Sequence, residues 1–212
     1  MAADVLMPKQ SRLCQLPAVV TILGRSSSMT GAFFAAIAPT DVPSDQEVLE
    51  ALGILQIDPE HQTCAYCGDT STEWEHLRPL IEGRKPTGYI TEIGNLVPSC
   101  GKCNQSKGNQ NWREWMTGSA RKSPASRGVV DLDARVVRLS AYEAWRKPRR
   151  VDYEVLVGRE LWDKHRHNWD DVLKKLQDSQ ALLLEIRAIV QSKYEDASPG
   201  LITTVALDAQ PE

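Results

Sequence analysis

Residues 63–115 read TCAYCGDTSTEWEHLRPLIEGRKPTGYITEIGNLVPSCGKCNQSKGNQNWREW, and the rest of the chain is expected to be organised around them. It contains two Cys-x-x-Cys pairs, formed by Cys64 with Cys67 and by Cys100 with Cys103. Four thiolates at this spacing predict a tetrahedral structural Zn²⁺ site. Residues 68–99 separate the two pairs, a longer interval than the roughly 15–20 residues of a simple zinc ribbon. We therefore expect additional structure between the pairs.

The composition is that of an ordinary soluble globular protein. The chain has 212 residues, of which 42% are hydrophobic and 25% charged, and its formal net charge is −3. This balance argues against a histone-like coat for DNA, but it permits a local basic groove because proteins contact phosphates through patches. A signal-peptide pattern is absent from the start of the sequence, and the apolar runs are too short to cross a membrane. We therefore expect a cytoplasmic protein without a membrane partner.

Cys14 stands apart from the four paired cysteines. The chain has only five cysteines, a density too low to indicate the disulfide framework of a small secreted protein. We expect Cys14 to be a small packed hydrophobic residue rather than a reactive thiol or a further zinc ligand.

The N-terminal region, residues 1–60, is expected to form a scaffold around the cysteine-bracketed stretch. The apolar run at 16–24 predicts a buried strand, and residues 30–38 predict a short helix that the following proline ends. Ser44 followed three residues later by Glu47 is a capping box, which predicts the start of a second helix.

The cysteine-bracketed stretch belongs to a predicted module at residues 61–118. Residues 71–76 predict a strand, 83–94 a loop and 95–98 a return strand. A helix is expected to follow and to end at Gly118. The order strand, loop, strand, helix predicts an α+β module in which zinc pins the two strands to the helix.

The C-terminal region, residues 129–200, is expected to be mostly helical and to follow a polar, flexible boundary at 119–128. Apolar residues spaced three to four apart between 153 and 194 predict one or two long helices. Their apolar stripe fits either a core or a seam between two copies of the chain. The cations at 146–150 form either a patch for the DNA backbone or ordinary charged surface.

The module contains the groups that phosphodiester hydrolysis requires. An attacking water must lose a proton, and the phosphoryl and leaving oxygens need their growing negative charge neutralised. His76 supplies an imidazole, while Glu75 and Asn104 offer a carboxylate and an amide oxygen. Oxygen ligands suit Mg²⁺ or Mn²⁺, ions that keep several waters and leave positions for phosphate.

Three segments of the module resemble the zinc-containing branch of the HNH (ββα-metal) endonucleases, a group that includes restriction enzymes. They are Glu75-His76, Asn95-Leu96-Val97-Pro98 and the run CGKCNQSKG that starts at Cys100. The resemblance covers residues 63–112 and implies a metal-dependent endonuclease, with structural Zn²⁺ at the cysteines and a catalytic Mg²⁺ or Mn²⁺. The remainder of the chain resembles no module that we can place.

The resemblance also implies a role for each matching residue. His76 is expected to be the general base, and Glu75 and Asn104 the ligands of the catalytic metal. Asn95 is expected to brace the loop between the strands. The family more often has Asp before the histidine, so the longer Glu75 requires the metal or the strand to adjust. Because successive strand residues point to opposite faces, Glu75 and His76 reach one phosphate only where the strand ends or bulges, and Glu73 is the alternative ligand.

The resemblance implies double-stranded DNA as the substrate and restriction or phage defence as the setting. Four cations are expected to contact phosphate, and they are Lys107, Arg78, Arg84 and Lys85. One module cuts one strand, so double-strand cleavage predicts a homodimer, for which the C-terminal helices are the candidate surface. Two alternatives stay open: a non-catalytic zinc module that binds nucleic acid or protein, and an HNH effector that needs a defence-system partner protein.

Overall fold

The computed structural model describes residues 16–195, so Cys14 and the chain after Glu195 lie outside the described residues. The described helices are α1 (Ser26–Phe34), α2 (Asp45–Leu55), α3 (Gly101–Lys107), α4 (Trp112–Thr117), α5 (Leu132–Trp145), α6 (Tyr153–Val157) and α7 (Arg159–Glu195). The strands are β1 (Glu73–His76), β2 (Ile81–Glu82), β3 (Lys85–Pro86) and β4 (Leu96–Ser99). This is the predicted α+β class with a long C-terminal helix. No described helix is long and apolar enough to span a bilayer.

The chain forms two compact units. One spans Ser28–Trp169, and the described residues on either side of it belong to the other. In the latter unit, the backbone N–H groups of Ile22 and Leu23 donate to Oε1 of Gln180 at 2.8 and 3.2 Å. The prediction of a buried strand at 16–24 is wrong, because this run forms no strand and most of it is exposed. A side-chain amide supplies the acceptor that a neighbouring strand would have offered.

β1 and β4 form an antiparallel pair in the larger unit. Glu73 pairs with Ser99 and His76 pairs with Leu96, so the register is regular to the end of β1. The predicted order of strand, loop, strand and helix is confirmed. The loop contains a second, shorter pair, β2 with β3.

The larger of two apolar clusters joins α2, the first cysteine pair, β4, α4 and α5. Its most deeply buried large side chains are Leu52, Tyr66, Leu77, Val97, Trp112, Trp115, Met116, Leu139 and Tyr142. The hydroxyl of Tyr142 donates to the carbonyls of Ile93 and Leu96, which ties α5 to the start of β4. The predicted capping box at the start of α2 is confirmed, since Ser44 and Glu47 each bond the backbone N–H of the other.

The helix expected to run to Gly118 is instead divided into α3 and α4. α3 ends at Lys107, where Gly108 takes a φ of 49° that favours glycine. The side chain of Asn111 then caps α4 by accepting hydrogen bonds from two N–H groups of its first turn. The break allows Trp115 to enter the core while α3 keeps its own orientation.

The segment 119–128 packs within the larger unit instead of forming the flexible boundary that we predicted. Ser123 is fully buried, and its hydroxyl donates to the carbonyl of Gly118 at 2.7 Å. Arg127 reaches the cysteine cluster at Cys103. The polar side chains of the segment form hydrogen bonds within the protein. A polar composition alone therefore did not indicate a flexible boundary.

Candidate active site

The four paired cysteines converge on one point. Their Sγ atoms all lie within 4.8 Å of one another, and the Sγ atoms of Cys67 and Cys100 are 3.7 Å apart. Four sulfurs at about 2.3 Å from a tetrahedral Zn²⁺ lie roughly 3.8 Å from each other. The donor set and its spacing fit the predicted structural zinc ion.

A tight turn and a helix start aim these sulfurs. In the first pair, the N–H of Gly68 donates to the carbonyl of Cys64 at 2.9 Å. The φ of Gly68 is 82°, a conformation that glycine adopts without strain. Cys100 precedes α3 as its N-cap, and Cys103 lies in the first turn of that helix. The zinc site therefore joins the chain before β1 to the start of α3.

Arg127 lies next to the cysteine cluster and hydrogen-bonds one of its sulfurs. The sequence did not indicate this contact. Nη1 of Arg127 donates to Sγ of Cys103 at 3.3 Å, and its Nη2 donates to a carboxylate oxygen of Asp69 at 2.9 Å. Four thiolates around a divalent zinc carry a net negative charge, which a neighbouring guanidinium offsets. The distance in sequence between Arg127 and the cysteines does not predict this contact, because the contact depends on how segment 119–128 packs.

Glu75 is buried between the first cysteine pair and α3. Its carboxylate accepts a hydrogen bond from the hydroxyl of Tyr66 and another from Nζ of Lys107, the latter at 3.5 Å. Only 5% of Glu75 is exposed. Burial raises the pKa of Glu75, while the Lys107 ammonium acts in the opposite direction. Burial, together with the neighbouring carboxylate, also raises the pKa of Tyr66 well above its usual value.

Lys107 is 1% exposed, so its ammonium is not presented to a phosphate as we had expected. Besides Glu75, its Nζ donates to the carbonyls of His76 at 2.8 Å and Gly108 at 3.4 Å. Burial lowers the pKa of Lys107, and the Glu75 carboxylate opposes this effect. Lys107 therefore links the end of β1 to the end of α3.

His76 lies half-buried at the end of β1. Its Nε2 is 2.9 Å from the hydroxyl of Thr91. We assign the ring proton to Nε2, which donates to this hydroxyl and leaves Nδ1 as an acceptor with no protein partner among the described residues. Burial lowers the pKa of His76 to about 4, and the Lys107 ammonium adds to the effect. The ring is therefore neutral at pH 7, the state in which an imidazole accepts a proton.

Asn104 lies in α3, three residues before Lys107, so the two side chains share one face of the helix. Lys107 reaches Glu75 from this face. Within the described residues, the half-buried side-chain amide of Asn104 forms no hydrogen bond. The β1-facing side of α3 thus offers an unengaged amide oxygen.

Residues 64–110 match the family model described as HNH endonuclease. This segment is an HNH endonuclease domain. It contains both cysteine pairs, the four strands and α3, and the resemblance seen in the sequence is confirmed for it. No curated protein and no solved structure matches the chain.

Asn95 is fully buried in the 3₁₀ turn Ile93–Asn95 of the HNH domain. Its Oδ1 accepts from the N–H of Arg78 at 2.8 Å. Its Nδ2 donates to the carbonyls of Arg78 and Ile90 at 3.1 and 3.3 Å. These three bonds fasten the loop that carries Thr91 to the contact with His76. Thr91 was not identified from the sequence, where a lone threonine in a loop gives no signal.

A carboxylate and an amide are among the oxygen ligands that Mg²⁺ or Mn²⁺ takes in proteins. Glu75 and Asn104 would together supply two such oxygens, in the range that such an ion takes together with waters. A carboxylate has about four acceptor sites, of which Tyr66 and Lys107 use two in Glu75. The carboxylate therefore retains capacity for a metal. The carboxylate of the alternative ligand, Glu73, lies beside the start of α3 at Gly101.

The other cations predicted to contact phosphate differ in their availability. Arg78 is engaged, because its guanidinium pairs with Glu143 at 3.2 Å and its side chain is only 12% exposed. Arg84 and Lys85 are exposed at the turn between β2 and β3. Neither forms an ion pair or a side-chain hydrogen bond with any described residue.

The cations at 146–150 are used in internal contacts of the larger unit. Arg146 pairs with Glu47 at 2.5 Å. Arg149 pairs with Glu92 at 2.7 Å. These pairs connect α5 and the chain after it to α2 and to the HNH domain, so they favour the reading of this cluster as structural charge.

Proposed function

We propose that the protein is a metal-dependent DNA endonuclease whose catalytic centre lies in the HNH domain. The observation that carries this proposal is that the half-buried His76, whose ring contacts the hydroxyl of Thr91 through Nε2 alone, directly follows the buried carboxylate of Glu75. Asn104 adds a free amide on the facing helix. A purely structural zinc module gains nothing from an unpartnered imidazole beside oxygen ligands, so the arrangement supports hydrolysis.

In the proposed reaction, Nδ1 of His76 accepts a proton from the water that attacks phosphorus. The bond between Nε2–H and Thr91 keeps the ring in one orientation during this transfer. Glu75 and Asn104 would hold Mg²⁺ or Mn²⁺, which neutralises charge on the phosphate and on the leaving oxygen. Lys107 and Tyr66 hold the Glu75 carboxylate in position. The expected products carry 5′-phosphate and 3′-hydroxyl ends, as the HNH resemblance implies.

The proposed substrate is double-stranded DNA, and the proposed setting is restriction or phage defence in the cytoplasm. One HNH domain cuts one strand, so cleavage of both strands requires two copies. We propose a homodimer through α7. Its exposed apolar residues Leu182, Ile186 and Ile189 follow the alternating spacing of four and three that helix pairing uses.

The ion pair on Glu75 favours a second candidate function. Lys107 and Tyr66 already occupy part of the carboxylate that a catalytic metal would need. A zinc module that binds nucleic acid or protein without catalysis fits this arrangement. An HNH effector that acts only with a defence-system partner protein fits it as well.

The test is nicking of supercoiled plasmid in the presence of Mn²⁺. Wild type is compared with His76→Ala and with His167→Ala, which removes an exposed imidazole from α7. We expect nicking by wild type and His167→Ala. Nicking by His76→Ala should be slower by about a hundredfold or more, since general base catalysis contributes at least this factor. Equal nicking by wild type and both variants would exclude His76 from the mechanism.

Two other outcomes favour the alternatives. A wild type that is inactive alone but nicks DNA when the product of a neighbouring gene is added is the expected behaviour of a partner-activated effector. A wild type that binds DNA with zinc in place, yet never nicks it under either condition, is the expected behaviour of a non-catalytic module.

A further inference from the structure

A cavity of about 730 Å³ lies at the turn between β2 and β3. Its walls are residues 83–88, residues 150–154 and the part of α7 that carries Trp162, Arg166 and Trp169. The volume falls within the roughly 300–1,000 Å³ of small-ligand sites. None of the proposed catalytic residues lines the cavity, and the nuclease proposal leaves it without a role.

Cations dominate the rim of this cavity. Arg84 and Lys85 stand exposed on the turn, and neither has an ion pair among the described residues. Arg166 on α7 is 3.9 Å from its nearest acidic neighbour, Asp163, and both side chains are more than half exposed. A pair at this distance and exposure contributes little. The three cations are therefore available to an anion.

The acidic residues that line the cavity are already engaged. The side chain of Asp152 accepts a hydrogen bond from the N–H of Val155 at 3.2 Å and so caps α6. Glu154 pairs with Arg159 at 2.8 Å. Because these two carboxylates already have partners, the cavity favours an anionic ligand.

The floor of the cavity is aromatic and preformed. The rings of Tyr153 and Trp162 are stacked, with centroids 5.3 Å apart and planes 17° apart. Phe34 meets Trp169 edge-on at 5.2 Å. Phe34, Tyr153 and Trp162 are themselves buried in a small apolar cluster, and they hold the half-buried ring of Trp169 in place. A flat aromatic ligand gains apolar contact at Trp169 without reorganising the protein. A nucleotide combines such a ring with a phosphate for the rim.

A single backbone segment joins the cavity to His76. Thr87 and Gly88 line the cavity, and Thr91, further along the segment, contacts His76. Four residues span about 14 Å at most. The carbonyl of Gly88 accepts from the N–H of Val151 at 2.8 Å, and a Cβ added at Gly88 would lie 2.5 Å from the carbonyl oxygen of Val151. This close approach fixes the cavity wall at the start of the segment that leads to Thr91.

We propose that the cavity binds one nucleotide unit, a base with its phosphate, in the DNA strand that the HNH domain cuts. The base lies on the aromatic floor, and the phosphate meets Arg84, Lys85 and Arg166. This contact sets the position of the strand relative to His76. The assignment to the cut strand rests on the proposed nuclease function. A free nucleotide has the same chemistry, so the test separates the two sources.

The first measurement is fluorescence anisotropy of a labelled single-stranded 20-mer with the full chain, at several salt concentrations and without added Mg²⁺ or Mn²⁺. The double variant Arg84→Ala/Lys85→Ala is compared with Arg121→Ala/Lys122→Ala, which removes the same charges from an exposed segment outside the cavity. Each phosphate that the protein no longer neutralises lowers the magnitude of the slope of log K against log salt by about 0.7. Because the cavity holds one phosphate, we expect a decrease of at most about 0.7 and a weaker complex for the cavity variant alone.

The second measurement replaces the bases. A 20-mer built of abasic sites should bind wild type at least about fivefold more weakly, since one stacked base contributes this much or more. Equal affinity for the normal and abasic strands, or equal effects of the two double variants, would overturn the proposal. Competition by free deoxynucleoside monophosphates at micromolar concentration, lost in Arg84→Ala/Lys85→Ala, would overturn the assignment to the strand and identify a free nucleotide as the ligand.

These outcomes separate the cavity from the nuclease proposal, because they require no cleavage. If wild type nicks plasmid but the cavity variants bind DNA as wild type does, the cavity proposal alone is removed. Cavity-dependent binding without nicking, either alone or with the product of a neighbouring gene, removes the nuclease proposal and leaves a nucleotide site.

Discussion

Nζ of Lys107 lies 3.5 Å from Oε2 of Glu75, and the two side chains are only 1% and 4% exposed. The ammonium also donates to the carbonyl of His76. Two ionisable groups are therefore removed from water together, at the point where β1 meets α3. In such a pair each partner depends on the other, because an isolated buried charge has a high desolvation penalty.

Lys107→Met should destabilise the protein by about 3 kcal/mol or more, since it leaves the Glu75 carboxylate buried without its cation. The double variant Lys107→Met/Glu75→Gln should recover part of this loss, because it removes both charges. Urea unfolding with zinc present measures both effects. Lys102→Met is the control, as Lys102 is exposed on the same helix and its replacement should change the free energy of unfolding little. Equal stability of Lys107→Met and Lys102→Met would contradict the buried pair.

Arg127→Ala should weaken zinc binding while all four thiolates remain. Its guanidinium donates to Sγ of Cys103, and loss of an outer-shell partner typically lowers metal affinity by about 10–100-fold. Competition with a chromogenic chelator measures the affinity. Arg121→Ala, at an exposed position in the same segment, should retain wild-type affinity. If both variants release zinc at the same chelator concentration, Arg127 has no part in the site.

Asn95→Leu should lower the free energy of unfolding by about 3 kcal/mol, because it leaves the N–H and carbonyl of Arg78 and the carbonyl of Ile90 without partners. The same change should free Thr91 from its fixed position beside His76. Hydrogen exchange of the amides at 78–95 would report this loosening. Asn109→Leu, at an exposed position after α3, is the control and should leave these amides protected. Unchanged protection in Asn95→Leu would show that the loop is held by other contacts.

The sequence was informative where structure depends on local spacing. The four cysteines and the Ser44–Glu47 box are separated by only a few residues within each motif, so their geometry is set by the adjoining backbone. The run at 16–24 is apolar, but a strand also needs a partner, and composition does not supply one. A lysine is exposed by default, and only the tertiary contact with Glu75 explains why Lys107 is buried. Arg127 and Thr91 likewise reach the site through packing between distant segments.

Asn104→Ala should raise the Mn²⁺ concentration required for half-maximal nicking by about tenfold or more, equivalent to roughly 1.4 kcal/mol of lost metal binding. The physical reason is the loss of one of two proposed protein oxygens. Asn109→Ala, which removes a nearby exposed amide, should behave as wild type. The structural zinc content of both variants should be unchanged, since the cysteine cluster is intact. An identical Mn²⁺ requirement in all three proteins would exclude Asn104 as a ligand.

His76 should make the stability of the protein depend on pH. Burial lowers its pKa to about 4 in the folded state, whereas an unfolded histidine has a pKa near 6.5. The unfolded chain therefore binds the proton first as pH falls. The contribution of the neutral ring is complete above about pH 6.5 and is lost as pH falls through 4, by at most about 1.4 kcal/mol per pH unit.

His76→Gln, which does not titrate, should lack this loss. Urea unfolding of both proteins between pH 7 and 5 measures the difference in their free energies of unfolding. This difference should shrink as pH falls because only wild type loses the contribution of His76, while zinc release affects both alike. His167→Gln on the exposed face of α7 should follow the wild-type curve. Parallel curves for wild type and His76→Gln would show that the imidazole is not buried in its neutral form.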